Sequence, residues 1–289
     1  VASAAGGLLS YLGYHRHLTH SLLLAPAIAL ACVAAVRLIS RKPIDWRMGF
    51  LVALAGVASH LALDWTNVYG IRLLLPFSSR WLRLDTTSVV DPWIWAALLL
   101  SLAAPAIARL VGGEIGDPGR PGRAAAVCAL AFLLLYNGAR AVFHERALAV
   151  LDSRIYSGAP ARRIAAFPDA VNPFRWRGLV EGEASYTLFD FNIRSEFDPT
   201  AGAVFHQAGN SVAIRKAESE EPFQDFLRFS QYPLWTAIPV SEPQNGLQIQ
   251  LSDMRFGVPP RVGFSVVAIF DEQLRQVTSH VSFMATQPR

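Results

Sequence analysis

The sequence predicts an α+β protein: a polytopic α-helical membrane domain of about four spans over residues 1–158, then a soluble, mainly antiparallel β domain over residues 159–289. Three observations carry this. Hydrophobic residues make up 52% of the 289, a high share for a soluble chain, and the excess is confined to residues 1–143. Four apolar runs there approach the roughly 20 residues that cross a bilayer. Past residue 158 the pattern changes to short β-branched and aromatic stretches separated by turn residues, which is how antiparallel strands read.

The four runs are 21–38, 48–64, 91–111 and 124–143. The first two are short, and Ser59, His60 and Asp64 near the end of the second would demote it on hydropathy alone. It is kept as a span because Met48 to Ala58 is unbroken. RKPIDWR joins the first pair and GGEIGDPGRPGR the second, where Gly and Pro preclude a helix. These two loops share one membrane face. The other face receives HRHLTHS, residues 65–90 and the C-terminal half. The fourth helix is expected to continue through HERALAVLDSRIYSG and to end near Gly158 and Pro160. Five or six strands are then expected from EASYTLFDFNI, AVFHQAGNSVAIRKA, GLQIQLSDMRF, RVGFSVVAIF and QVTSHVSFMA, with PTAG, EPQNG and GVPPR as turns.

Composition narrows the function classes. The +4 net charge comes from scattered arginines, with lysines only at Lys42 and Lys216. No basic arm exists, so direct nucleic-acid binding is not expected, and the counter-charge is the lipid bilayer with its anionic head groups. Cys32 and Cys128 lie in apolar runs, which gives neither a disulfide framework nor a CxxC metal pair. GxSxG, P-loop and GxGxxG patterns are absent. Arginines are nearly balanced between the two faces, so they give no orientation. The chain opens on Val1, and VASAAGGLLSYLGY lacks the basic and apolar regions of a signal peptide, so an upstream piece is expected.

The polar groups cluster at one end of the helical half. SHLALD places His60 and Asp64 at i and i+4, on one helix face within reach of a common ion. An imidazole with a carboxylate suits zinc, manganese or iron, and ionisable groups inside a span are uncommon without a function. In HRHLTHS, helical spacing alone favours His17 with His20. His15 and His20 converge only if His15 lies in a preceding turn, with Thr19 or a neighbour capping the helix. The long connection WTNVYGIRLLLPFSSRWLRLDTTSVVD carries Asn67, Arg72, Ser78, Arg80 and Arg83 as anion-binding candidates and ends on Asp91. In the soluble half His206, His280, Asp190, Asp253 and Arg255 have no ligand spacing and read as solvated strand residues.

HRHLTHSLLLAP, SHLALDWTNVYGIRLLLPFSSRW and VVDPW together resemble the bacterial YdjM-like family of membrane-bound metal-dependent hydrolases, also described as LexA-binding, inner-membrane-associated hydrolases. The resemblance covers about residues 10–95, and NPFRWRGLVE and LSDMRFG are similar to the soluble tail of longer members. It implies a multi-pass protein of the bacterial inner membrane. Its motif falls on His15, Arg16, Thr19, His20 and Ser21, then His60, Asp64, Asn67, Gly70, Pro76, Ser78 and Asp91. From it, His15, His20, His60 and Asp64 are the implied ligands of a divalent metal, most simply zinc. Arg16 and Asp91 are the implied catalytic groups, and Asn67, Arg72, Ser78 and Arg80 the implied substrate contacts. His17 stands where the family has glycine. The family's usual Asn-x-Thr-His and Pro-Asp-x-Asp motifs do not precede Val1, which fits an N-terminally truncated member.

Relatives of this family resemble zinc-dependent phospholipase C and P1-type nucleases, so the implied substrate is a phospholipid or another phosphodiester at the membrane face. Fold kinship alone does not fix that chemistry. The other expectation is a non-catalytic membrane scaffold or sensor that binds a protein partner through the soluble domain.

Overall fold

The computed structural model describes residues 16–115, 121–156, 158–259 and 261–282. A 3-10 turn, Leu18–His20, leads into four helices: α1, Ala25–Ser40; α2, Trp46–Thr66; α3, Pro92–Ile115; and α4, Pro121–Asp152. Local chemistry sets their ends. Pro26 opens the first turn of α1, where a missing N–H costs nothing. Asp45 caps α2, its Oδ1 accepting from the backbone N–H groups of Arg47 (3.0 Å) and Met48 (3.2 Å).

Helices α2 and α4 are long and apolar enough to cross a membrane, whereas α1, with 16 residues, and the apolar stretch Pro92–Ala108 of α3 are shorter. Both of the first two runs read as short, and only the first is so in the structure, with 16 residues against 21 for the second. The cap at Asp45 starts α2 at Trp46, and the helix holds to Thr66, 21 residues that include Ser59, His60 and Asp64. The apolar surface of these helices is not used inside the protein. Val52 (70% exposed), Leu102 (75%) and Leu135 (74%) face outward, which hydrocarbon tolerates and water does not. Helix α1 packs on α2, and α3 packs on α4.

The C-terminal half is a mixed α/β body. Strands β1 (Arg163–Pro168), β2 (Arg175–Glu181), β3 (Ser185–Asn192) and β4 (Ala203–His206) form an antiparallel meander. Helices α5 (Val212–Ser219) and α6 (Glu221–Phe229) follow, then β5 (Pro233–Val240), β6 (Gly246–Asp253), a short pair β7 (Gly257–Val258) and β8 (Arg261–Val262), β9 (Ser265–Phe270) and β10 (Gln276–Ser282). The second sheet is antiparallel in the order β10-β9-β6-β5.

Period-two alternation explains how the first sheet is used on both faces. Ala166, Trp176, Val180 and Phe189 point to Ala147 and Leu151 of α4. Ala165, Phe167, Leu179, Tyr186 and Leu188 point the other way, to Tyr232, Leu234 and Met254 of the second sheet's end. Gly178 permits the first contact, since a Cβ there would lie 2.8 Å from Leu151 Cδ2. The second sheet buries Ile249, Leu251, Val266 and Phe270 against Ile214 of α5 and Phe223 and Phe226 of α6.

The strands are antiparallel as expected, but ten stand among the described residues where five or six were expected, and two further corrections concern the helices. SVAIRKA, read as strand, is helix α5, because Ser211 Oγ caps it by accepting from Ile214 N–H (3.2 Å) and Ala213, Ile214 and Ala217 share a helical face. The fourth helix ends at Asp152, short of Gly158, and the loop GGEIGDPGRPGR is helical at both ends, since α3 holds through Gly112 and Gly113 to Ile115 and α4 starts at Pro121.

Candidate metal centre

Asp64 is the hub of the polar cluster. Its carboxylate is buried in the last turns of α2, and one oxygen, Oδ1, accepts from Arg16 Nη2 at 2.7 Å. The other, Oδ2, has no hydrogen-bond donor among the described residues but lies 3.6 Å from His60 Nε2 and 3.8 Å from His20 Nε2. One ligand atom from each of His20, His60 and Asp64 falls within 4.8 Å of the others. The spacing of His60 and Asp64 is the i, i+4 pair of one helix face. His20 comes from the 3-10 turn, more than forty residues away in sequence, and Thr19 Oγ1 lies 3.0 Å from its Nδ1, turning Nε2 toward the carboxylate.

A divalent ion fits this set. Zinc takes imidazole nitrogen and carboxylate oxygen at about 2.0–2.2 Å, which keeps two ligands of one tetrahedral site roughly 3.3–3.6 Å apart. The two separations from Oδ2, 3.6 and 3.8 Å, lie within a few tenths of an ångström of that, and all three ligand atoms fall within 4.8 Å of one another. A buried carboxylate oxygen with imidazoles and no donor is the arrangement a cation satisfies, and an outer hydrogen bond such as Thr19 to His20 commonly fixes a ligating imidazole.

The remaining predicted residues fall into different places. His15 lies outside the described residues. His17 precedes the 3-10 turn and is not in the cluster, so the regular-helix geometry that paired it with His20 does not apply. Arg16 is buried at a backbone φ of +57°. Besides Asp64 it donates to Asn67 Oδ1 (3.2 Å) and the Gly70 carbonyl (2.8 Å), and its guanidinium lies over the Tyr69 ring at 4.4 Å. Asn67 Oδ1 also accepts from the N–H groups of Tyr69 (2.9 Å) and Gly70 (3.3 Å), closing a turn. Gly70 sits at φ +81°, and a Cβ there would press on the Leu82 carbonyl at 3.1 Å.

Asp91 is buried at the N-terminus of α3. Its Oδ1 caps that helix by accepting from Trp93 N–H (3.1 Å) and Ile94 N–H (3.3 Å), and its Oδ2 accepts from the Tyr136 hydroxyl of α4 at 2.9 Å. A cavity of about 250 Å³ joins Asp91 to the cluster; Arg16, His60, Asp64, Asn67 and Thr87 also line it. Arg72, Ser78 and Arg80 are not among its lining residues. Arg72 lies over the Trp81 ring at 4.7 Å, and burial, partly offset by Tyr69, lowers its guanidinium from the ordinary arginine range. Ser78 Oγ accepts from the Arg80 N–H at 3.3 Å.

Three groups escaped sequence reasoning. Tyr136, in an apolar run, gives no local signal for its bond to Asp91. Arg255, read as solvated, is 5% exposed, and its Nη1 donates to the carbonyls of Val68 (3.0 Å) and Tyr69 (3.1 Å), the backbone of the same turn that Arg16 holds. Its partner Asp253, also read as solvated, is fully buried (0% exposed) and pairs with it at 2.7 Å. Burial would raise the Asp253 carboxyl, but the Arg255 charge and hydrogen bonds outweigh it and hold it below the usual carboxylate range.

The profile of the YdjM inner membrane protein family matches residues 1–147, about half of the chain and the part that carries the cluster. This chain belongs to the YdjM family. The membrane placement follows from that membership together with the outward-facing apolar helices. Residues 212–288 match the YfhP C-terminal alpha/beta plait domain. A relative is YfhP of Bacillus subtilis (strain 168), 30% identical over 95 residues, which are 32% of this chain. The matched stretch is 28% of that protein's length. No solved structure matches.

Proposed function

We propose that this YdjM-family protein is an integral membrane metal-dependent hydrolase acting on a phosphodiester or lipid-type substrate at the membrane face, with α1 to α4 all crossing the bilayer. The observation that carries the proposal is the donor-free Asp64 Oδ2 facing the Nε2 atoms of His20 and His60 beside a cavity. In this reading His20, His60 and Asp64 hold one divalent ion, zinc by ligand type, with His15 as a fourth ligand. Bound zinc supplies Lewis acidity toward a phosphoryl oxygen and brings deprotonation of water into the neutral range.

The chain's own groups then have separate tasks. Arg16 occupies Asp64 Oδ1 and leaves Oδ2 toward the histidines, so it positions a ligand. Asn67 and Gly70 hold Arg16 in turn. Asp91 is the other carboxylate lining the cavity and receives the proton of the attacking water, held in place by Tyr136. Water adds to phosphorus, the bond from phosphorus to the leaving alcohol oxygen breaks, and the proton passes from Asp91 to that oxygen.

The test uses the full-length protein purified in mild detergent. Elemental analysis is expected to find one zinc or similar ion per chain. His60→Ala and Asp64→Asn should lower that content at least five-fold, and His17→Ala should leave it unchanged. A metal-free wild type whose composition His60→Ala does not alter sinks the proposal.

A further inference from the structure

The cavity beside the cluster has two unlike walls. On α2 His60 and Asp64, with the C-cap Asn67, line it as polar groups spaced i, i+4, i+7, and Leu63 lies among them. Facing them on α3 are Ile94, Trp95 and Leu98, an apolar stripe that continues from Asp91 with the same helical spacing. The two helices meet across this cavity, which both of them line. His60 lies six residues before the end of α2, about 9 Å down the helix at 1.5 Å per residue, and its side chain is 61% exposed. Trp95 is 55% exposed on the opposite wall. A polar metal-ligand candidate and an apolar side chain are thus both exposed at the mouth of one cavity on an apolar helix pair.

We infer that the substrate is a membrane-resident lipid with a phosphodiester head group, which reaches the cluster laterally through the cleft between α2 and α3. This rests on the proposed metal-dependent hydrolysis and specifies its substrate. The head group meets the α2 wall, and the first part of an acyl chain lies along Trp95 and Leu98. Volume supports partial enclosure: about 250 Å³ is below the roughly 300–1,000 Å³ of pockets that enclose a whole drug-sized ligand. The rest of the lipid stays in the bilayer. A water-soluble diester would need no apolar wall and would gain nothing from a cleft that opens to hydrocarbon.

The experiment places the full-length, zinc-loaded protein in phosphatidylcholine nanodiscs with increasing fractions of a phosphatidylglycerol that carries a diazirine on an acyl carbon near the glycerol. After irradiation, labelled peptides are mapped. Labelling at Leu63, Trp95 and Leu98 is expected to saturate, whereas labelling at the outward-facing Leu102 and Leu135 should rise in proportion to the probe. Leu98→Trp or Leu63→Trp should cut labelling at Trp95 at least five-fold with zinc retained, and Leu102→Trp should not. Soluble glycerophosphoglycerol should fail to displace the label; displacement would overturn the lipid assignment. Non-saturating cleft labelling with zinc bound overturns the lateral route and leaves the metal site standing. Saturable labelling without any bound metal upholds the lipid site and overturns the hydrolase reading.

Discussion

Replacing Arg255 by methionine removes the guanidinium that neutralises Asp253, a carboxylate with no exposed surface (0%). Breaking a buried pair from one side costs about 3–5 kcal/mol, because the other charge stays behind unpaired. The carbonyls of Val68, Tyr69 and Phe229 lose a donor at the same time, and an unsatisfied buried acceptor costs about 1–3 kcal/mol. These contributions overlap, so we expect a net loss of at least about 4 kcal/mol. The double variant Asp253→Asn/Arg255→Met removes the stranded charge and should recover about 2 kcal/mol of it. The assay is urea unfolding in maltoside micelles, followed by tryptophan fluorescence. Acidity gives a second check. A carboxyl depressed in the folded state stabilises above its unfolded pKa and loses that contribution as pH falls through the folded value. The Asp253 contribution to wild-type stability should therefore be intact at pH 5, while Arg255→Met, with its carboxyl released upward, should gain stability relative to wild type on acidification. A single variant within 1 kcal/mol of wild type, or a double variant no better than the single, refutes the reasoning.

Three more outcomes are expected. Burial pushes the Asp85 carboxyl up to about 6, a rise that Arg83 and Arg255 only partly oppose. Its contribution to stability is full below the unfolded value near 4 and fades as pH rises through 6, so the melting temperature of Asp85→Asn relative to wild type should climb between pH 4.5 and 7.5; a flat difference contradicts this. Asp91→Asn keeps a good helix cap and should cost under about 1 kcal/mol in unfolding experiments, yet lower hydrolysis about 100-fold if Asp91 moves the proton; equal activity would reduce Asp91 to a structural cap. Asp45→Ala removes the α2 cap and should destabilise the protein by about 1 kcal/mol without altering metal content, measured by the same urea and elemental assays.

The legible parts of the cluster were those fixed by local geometry. His60 and Asp64 could be paired from sequence because four residues along an α-helix return to one face. His20 could not be separated from His17 that way, because Leu18–His20 is a single 3-10 turn and the angular spacing of a regular helix does not hold there. The resemblance supplied what spacing lacked for His20; His15 lies beyond the described residues. Arg16 is held by Asn67 and Gly70, partners 51 and 54 residues away, a relation no window reveals. In the soluble half, antiparallel strands were readable where β-branched residues alternate. RIAAFP and PLWTAIPV passed unnoticed because proline and alanine dilute the pattern, although both form strands. Arg255 looked like a surface residue beside an acid, yet its acceptors on Val68 and Tyr69 are 187 and 186 residues away.

The turn after α2 therefore has a double allegiance. Its Asn67 side chain anchors the arginine that steers Asp64, while Val68 and Tyr69 bury their side chains among residues of the C-terminal half and lend their carbonyls to Arg255. The two halves of the gene are accordingly not interchangeable cassettes. A descendant that kept only the first would have to find a new donor for two buried carbonyls and new cover for two apolar side chains before its histidines could again face a common point.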